Sequence, residues 1–279
     1  MLVWQGGQSG TIGGGALEHE ATLRARAMLA TGGTRLDRAA LGPALGQCCG
    51  GAVTVLTEVY DLSNLPVPQA GLIARPTAYP TGSRAAPLSV QRMLDRARAR
   101  GIAPVPTLTQ GWFVEPLSRP TRQLWIWGAG HVGRALVHTL SPLPDLAITW
   151  IDIAPDRFPD RFPDTATRLT APNPADLVAH APQDGEHLIV TYSHALDLDL
   201  CHRLLAHGFR RAGLIGSHTK WARFRSRLAA LGHSPAVIAR IDCPIGNPSL
   251  GKHPQAIAIG VAAAFLDDRK NASRQENAG

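Results

Sequence analysis

An α/β protein is predicted, with a C-terminal doubly wound parallel sheet and a smaller N-terminal α+β domain. Three observations carry that expectation. The chain has 279 residues, room for two domains at roughly 150 residues each. From residue 123 onward, apolar strand-like runs alternate with helical patterns, the signature of a parallel sheet with crossover helices. A glycine-rich turn, Gly128-Ala129-Gly130-His131-Val132-Gly133, sits between the first such strand and the first such helix. Apolar residues make up 44% and charged residues 18%, ordinary globular usage that argues against extended disorder and fibrous repeats.

The N-terminal domain is placed at residues 1–116. Gly10-Thr11-Ile12-Gly13-Gly14-Gly15 runs into a segment whose Leu17, Ala21, Leu23, Ala27 and Met28 approximate helical spacing, and Gly32-Gly33 ends it. Residues 52–60 are rich in β-branched side chains and predict a strand. A second helix is expected from Leu88 to about Arg100, stopped by Gly101 and Pro104. The prolines and polar residues of the segment 115–121 make a linker.

The C-terminal domain is placed at residues 122–279. Leu124–Trp127 is its first strand, and the helix after the glycine turn extends through Leu140 to Pro142. Further strands are expected at 147–152, 187–192 and 213–216, with a helix from Leu198 to His207. Ser217 has the chemistry to cap a helix starting near Thr219, with Lys220 in its first turn as an anion contact.

Gly128, Gly130 and Gly133 gain meaning from context, because they follow a strand and open a helix, and Asp152 follows Gly128 by 24 residues at the end of the next strand. In a Rossmann-like domain such glycines bring backbone N–H groups to a pyrophosphate, and the carboxylate accepts from a ribose 2′-OH while repelling a 2′-phosphate. NAD is preferred over NADP on this reading. The bland alternative is that the glycines serve strand-helix packing alone. Gly13, Gly14 and Gly15 form a second candidate anion cradle ahead of a helix, without the Lys-Ser/Thr ending of a Walker loop; a tight turn using positive φ explains them equally well.

Leu45-Gly46-Gln47-Cys48-Cys49-Gly50-Gly51 is the most distinctive stretch. Two adjacent thiols between glycines leave the backbone open to a bulky ligand and suit a soft metal or sulfur chemistry. Structural zinc fits poorly, since Cys201 and Cys243 supply no second pair at finger spacing. Cys201 reads as core and Cys243 as structural. His131 and His194 sit near strand ends as hydrogen-bonded bystanders. Nothing resembles a serine triad, a paired-carboxylate site or a His-Glu-x-x-His helix, so hydrolase classes recede.

Four cysteines, two of them adjacent, do not make a secreted disulfide framework, and the opening residues lack the basic and apolar segments of a signal peptide. The longest late apolar run, near 256–266, is far short of the roughly 20 residues a span needs. Cytosol is the default compartment, with no membrane partner. The formal net charge is +7, carried by 28 basic against 21 acidic residues, and all but Lys220, Lys252 and Lys270 of the cations are arginine. Aromatics are only 5%, so nucleic acid is not expected. Arg92, Arg96, Arg98 and Arg100 form a solvated helix face, with an acidic protein partner as the second reading.

Taken in order, Gly10–Gly15, Gln47-Cys48-Cys49-Gly50-Gly51, Gly128–Gly133, His194-Ala195-Leu196-Asp197 and Gly213-Leu214-Ile215-Gly216-Ser217 resemble the XdhC/CoxI family of xanthine dehydrogenase accessory proteins. The resemblance spans nearly the whole chain. It implies a non-enzymatic chaperone that binds molybdenum cofactor (Mo-molybdopterin), protects it while a cysteine desulfurase installs its terminal sulfur, and inserts it into apo-xanthine dehydrogenase. A molybdopterin nucleotidyltransferase is a further implied partner, and a homo-oligomer the implied assembly. On this resemblance Cys48 or Cys49 contacts the molybdenum or its sulfur, Gln47 and Gly50 flank it, and Gly13–Gly15 receive the cofactor phosphate. Two departures stand out: Met1 lies only nine residues ahead of Gly10, where the family has an Arg-Gly-Ser-x-Pro-Arg-like segment, and Pro244-Ile245-Gly246 continues as Asn247-Pro248-Ser249 instead of Leu-Asp-Ile-Gly-Ala.

Three other readings compete. An NAD-dependent oxidoreductase is supported by Gly128 to Asp152 but lacks an obvious proton donor. A persulfide relay would carry sulfur on Cys48 and Cys49 themselves. A purely structural interaction module would bind neither cofactor nor nucleotide.

Overall fold

A computed structural model describes residues 1–42, 50–77 and 85–276, with side chains to residue 267. The chain divides into two compact units, Met1–Ser118 and Arg119–Gly279.

Unit 1 is α+β. Strands β1 (Leu2–Trp4) and β2 (Gly7–Ser9) form a hairpin that leads through the glycine turn into helix α1 (Gly15–Thr31). Only Leu17, Ala21 and Thr22 of α1 are buried, a narrower apolar stripe than its sequence spacing suggests, and Leu23 points to solvent. Strands β3 (Thr34–Ala40) and β4 (Ala52–Glu58) pair antiparallel from Thr34↔Glu58 to Ala40↔Ala52. A second antiparallel sheet runs β5–β7–β6, with β5 Leu72–Pro76, β6 Thr107–Thr109 and β7 Trp112–Pro116. Helix α2 (Leu88–Arg100) lays Val90, Leu94 and Ala97 against Leu72 and Val114, and Gly101 in the left-handed conformation ends it. The Arg75 guanidinium binds Glu58 and Glu115, each at 2.6 Å, tying β4 to the β5–β7 pair.

Unit 2 is the expected parallel sheet, six strands in the order β10–β9–β8–β11–β12–β13. These are β8 (Arg122–Trp127), β9 (Leu146–Asp152), β10 (Ala166–Thr170), β11 (Glu186–Ile189), β12 (Arg211–Leu214) and β13 (Ile241–Asp242). Every pairing is parallel. The chain starts at β8, winds outward through β9 and β10, then returns beside β8 as β11. That reversal opens a crevice at the carboxyl ends of β8 and β11, the usual ligand position in open α/β sheets.

Helix α3 (His131–Leu140) and the long α7 (Pro254–Glu276) share one apolar cluster with Leu124, Ile126, Ile148 and Trp150. On the other cluster, α4 (His194–His207), α5 (His218–Ala230) and the short α6 (Pro235–Ile238) pack around Trp127, Ile189, Leu204 and Leu214. Helices thus cover both faces, which is why the strands read as continuous apolar runs. Arg122 forks onto Glu186 at 2.6 and 2.7 Å, locking the starts of β8 and β11. Sequence reasoning missed β10 and β13: one is largely polar on its outer edge and the other is two residues long. No helix among the described residues is long and apolar enough to cross a membrane.

Candidate functional site

The carboxyl edge of the parallel sheet is organised by glycine. Gly128 has φ +118°, and a Cβ there would lie 2.6 Å from the Val190 carbonyl oxygen. At Gly133 a Cβ would come within 2.0 Å of the Gly128 oxygen, so helix α3 can leave the turn this closely only through glycine. Gly130 faces open space. The Gly128 oxygen accepts from the Trp150 indole at 3.0 Å, and the Gly128 amide donates to the Ile151 oxygen at 2.7 Å, so β9 holds the turn from below.

Asp152 completes that support. Its side chain is 4% exposed. One carboxylate oxygen accepts the Ala129 amide at 2.6 Å and the other the Ile153 amide at 2.7 Å. Sequence spacing assigned the carboxylate to a ribose hydroxyl; in the structure both of its oxygens accept from the protein's own backbone. Arg157 stands beside it, Nε 3.6 Å from Oδ1, with its guanidinium 5.0 Å from the centre of the Tyr192 ring. Arg134 fastens the same turn from α3, donating to the Ala129 and Arg157 carbonyls at 3.0 and 2.9 Å. These residues fit a rigid turn better than the ribose clamp of an NAD site.

One stride along the sheet edge lies a cluster that sequence reasoning missed. Asp197, fully buried in α4, accepts from Lys220 Nζ at 2.6 Å and from the Thr191 hydroxyl at 2.7 Å. Lys220 also donates to the Ile215 oxygen at 2.8 Å, and its stem passes where a Cβ on Gly216 would sit. The ammonium expected to meet an external anion is therefore committed to an internal one. A signal existed: Asp197 shares a helical stripe with Leu200, Cys201 and Leu204, and a carboxylate on an apolar stripe needs a buried partner. Cys243 lies near this cluster, and burial pushes its thiol up to about 11, with Asp197 opposing and Lys220 favouring the thiolate. Cys201 is core, as expected. Ser217 caps α5 by accepting the Lys220 amide at 3.2 Å. His131 and His194 are exposed first residues of α3 and α4.

In unit 1 the turn before α1 has φ of +117°, +76° and +70° at Gly13, Gly14 and Gly15, a run that strongly favours glycine. Three of the amides gathered there, those of Ile12, Gly13 and Gly14, are already occupied. Glu18 reaches back from the first turn of α1 and accepts from the Ile12 and Gly14 amides at 2.9 and 3.0 Å and from the Thr11 hydroxyl. Thr11 Oγ1 in turn accepts the Gly13 amide at 3.0 Å. The Thr11 hydroxyl first, then the two amides, hold the Glu18 carboxyl down to about 2. A phosphate arriving at this turn meets the Glu18 carboxylate at the Ile12 and Gly14 amides.

Gln47, Cys48 and Cys49 lie outside the described residues. Gly50 and Gly51 flank them, exposed, with open space where a Cβ would project. Among the described residues no group of three or more His, Cys, Asp or Glu side chains could hold a metal ion.

Comparison with known proteins follows the same two regions. The family model described as the XdhC Rossmann domain matches residues 124–265, half of the chain. The chain belongs to the XdhC/CoxI family. A second model, described as the XdhC and CoxI family, matches residues 1–39 of this XdhC-family chain. A protein of Escherichia coli K12 named YqeB and described as uncharacterized is 29% identical over 154 residues, 54% of this chain. That match spans only 28% of YqeB, so the chain aligns with little more than a quarter of this relative. A crystal structure described as that of a xanthine dehydrogenase from Bacillus halodurans aligns at TM-score 0.63 and 20% identity, over 95% of this chain and 84% of that one. At that identity the likeness is one of fold.

Proposed function

We propose that this XdhC-family protein is an accessory factor in xanthine dehydrogenase maturation, holding molybdenum cofactor during sulfuration and delivering it to the apo-enzyme. Membership of the family carries the maturation role. The cofactor-binding detail rests on chemistry: when bound, the group supplies a thiophilic metal centre and a phosphate. Adjacent thiols at Cys48 and Cys49 suit such a metal, Gln47 stands next to them, and the open space around Gly50 and Gly51 suits a bulky guest. The turn at Gly13, Gly14 and Gly15 takes phosphate in this reading only in competition with Glu18, two anions for one set of amide donors. A cysteine desulfurase and the apo-enzyme are the partners that this role requires, and a molybdopterin nucleotidyltransferase is a third that it accommodates.

The rigid Gly128–Gly133 turn, with Gly130 open to its surroundings, still offers a nucleotide phosphate a glycine approach. The buried Asp152 favours the reading that it serves packing, and NAD-dependent hydride transfer is accordingly the weaker alternative.

Purification of the wild type and of Cys48→Ala, Cys49→Ala and the double variant from cells making molybdopterin tests the thiol role. Molybdenum by mass spectrometry and pterin by fluorescence are expected to fall at least tenfold in the double variant. Wild-type retention there eliminates the thiols as ligands.

A further inference from the structure

The basic surplus of this chain is concentrated to an unusual degree. Of 28 basic and 21 acidic residues, helices α2 and α5 hold eight and one, so the remainder of the chain is electrically balanced. In α2 the cations are Arg92, Arg96, Arg98 and Arg100, with Asp95 the one acid; in α5 they are Lys220, Arg223, Arg225 and Arg227, with no acid. Lys220 is neutralised internally by Asp197. The seven arginines are all exposed. Among the described residues the single carboxylate within 4 Å of any of them is Asp95, 3.4 Å from Arg98 in a pair that is mostly in water.

An ordinary solvated helix face alternates signs, since opposite charges at i and i+4 help a helix by about 0.2–0.5 kcal/mol and like charges cost a similar amount. Here Arg92, Arg96 and Arg100 follow one another at that spacing, as do Arg223 and Arg227. Arg98, Arg100 and Arg227 fall in last turns, where the helix dipole welcomes them; Arg92, Arg96 and Arg223 have no such compensation. The buried sides of both helices are settled by Val90, Leu94 and Ala97 in α2 and by Phe224 and Leu228 in α5. Among the described residues the outer faces thus present seven guanidinium forks against one carboxylate, and such forks match carboxylates two bonds at a time.

We propose that the outer faces of α2 and α5 are docking surfaces for an acidic protein partner, one on each unit. Nucleic acid fits less well: α2 carries no aromatic residue, and in α5 Phe224 is buried and Trp221 packs against the core, so neither face offers a base a stacking platform. This inference stands on charge placement and holds whether or not the chain carries molybdenum cofactor.

The test uses the full chain, labelled poly-L-glutamate as the acidic probe, and three double variants that each lower the net charge by four: Arg92→Glu with Arg96→Glu, Arg223→Glu with Arg225→Glu, and Arg26→Glu with Arg38→Glu elsewhere on the surface. Fluorescence anisotropy at low salt is expected to show binding that weakens at least tenfold in the first two and less than twofold in the third, and that falls steeply with added salt. Equal losses in all three variants, or no binding by the wild type, overturn the proposal. So does a labelled single-stranded oligonucleotide that binds more tightly than polyglutamate through the same arginines. Arg96→Glu alone supplies a readout without any ligand. It places a carboxylate four residues from both Arg92 and Arg100, so Tm is expected to hold or rise, and a clear fall shows that the stripe serves folding instead.

Discussion

The two glycine turns of this protein look alike in sequence and are closed by the same chemistry, yet they are built differently. Each precedes a helix, and in each a carboxylate accepts from the backbone of the turn, from the Ile12 and Gly14 amides in unit 1 and from the Ala129 amide in unit 2. In unit 1 the carboxylate is local: Glu18 lies in the first turn of the helix it serves, remains partly in contact with water, and acts as an extended cap. In unit 2 it comes from a neighbouring strand, as Asp152 of β9 is buried beneath the Gly128 turn. The first turn is therefore a surface latch, and the second is part of the core. A glycine motif reports that the backbone must turn or approach something closely. What it approaches is decided by residues far away in sequence.

The glycines themselves should give the largest contrast. Gly133→Ala drives a methyl group to 2.0 Å from the Gly128 oxygen, a backbone atom that cannot swing aside, and is expected to cost about 3 kcal/mol or more through overpacking of the strand-helix junction. Gly14→Ala meets no atom within 4 Å and pays only for its φ of +76°, roughly 1–2 kcal/mol. Urea unfolding followed by tryptophan fluorescence and circular dichroism separates them. Equal losses at the two sites erase the distinction between latch and core.

Asp152→Asn ranks next. The amide keeps one acceptor oxygen but turns an NH₂ toward either the Ala129 or the Ile153 amide, leaving a buried donor facing a donor. A loss of about 2 kcal/mol is expected, within the range for hydrogen bonds to a charged group. If Asp152 instead waits for a ribose, the variant keeps wild-type stability while equilibrium titration shows weaker NAD binding. That outcome reverses the assignment made from the geometry.

The architecture was readable because unit 2 repeats one pattern: apolar runs such as Leu124–Trp127 and Ile148–Asp152 are buried on both faces, and helices intervene at regular intervals. The helices of unit 1 were readable from their stops, Gly32 after α1 and Gly101 after α2, each of which has positive φ. Strand β13 was not, since two residues carry no periodicity. The candidate site was legible in part. Spacing located Gly128, Gly133 and Asp152 together, but spacing cannot say whether a carboxylate points outward to a ligand or inward to an amide. Lys220 shows the same limit, because its partner Asp197 lies 23 residues away and only the packing of α4 against α5 joins them.

Glu18→Gln should have the smallest effect at neutral pH and the most distinctive pH dependence. Its carboxyl is held down to about 2 from an ordinary 4.5, so the folded state binds the proton less readily than the unfolded chain. The stabilisation is then fully present above about pH 4.5, shrinks as pH falls from there toward 2, and is gone once the folded carboxyl is protonated. Glutamine cannot titrate and keeps one acceptor oxygen for the Ile12 and Gly14 amides. The urea midpoints of wild type and variant are therefore expected to differ modestly at pH 7 and to converge between pH 5 and 2. A gap that stays constant across that range means that Glu18 does not latch the turn through its charge, and the parallel with Asp152 then reduces to shape.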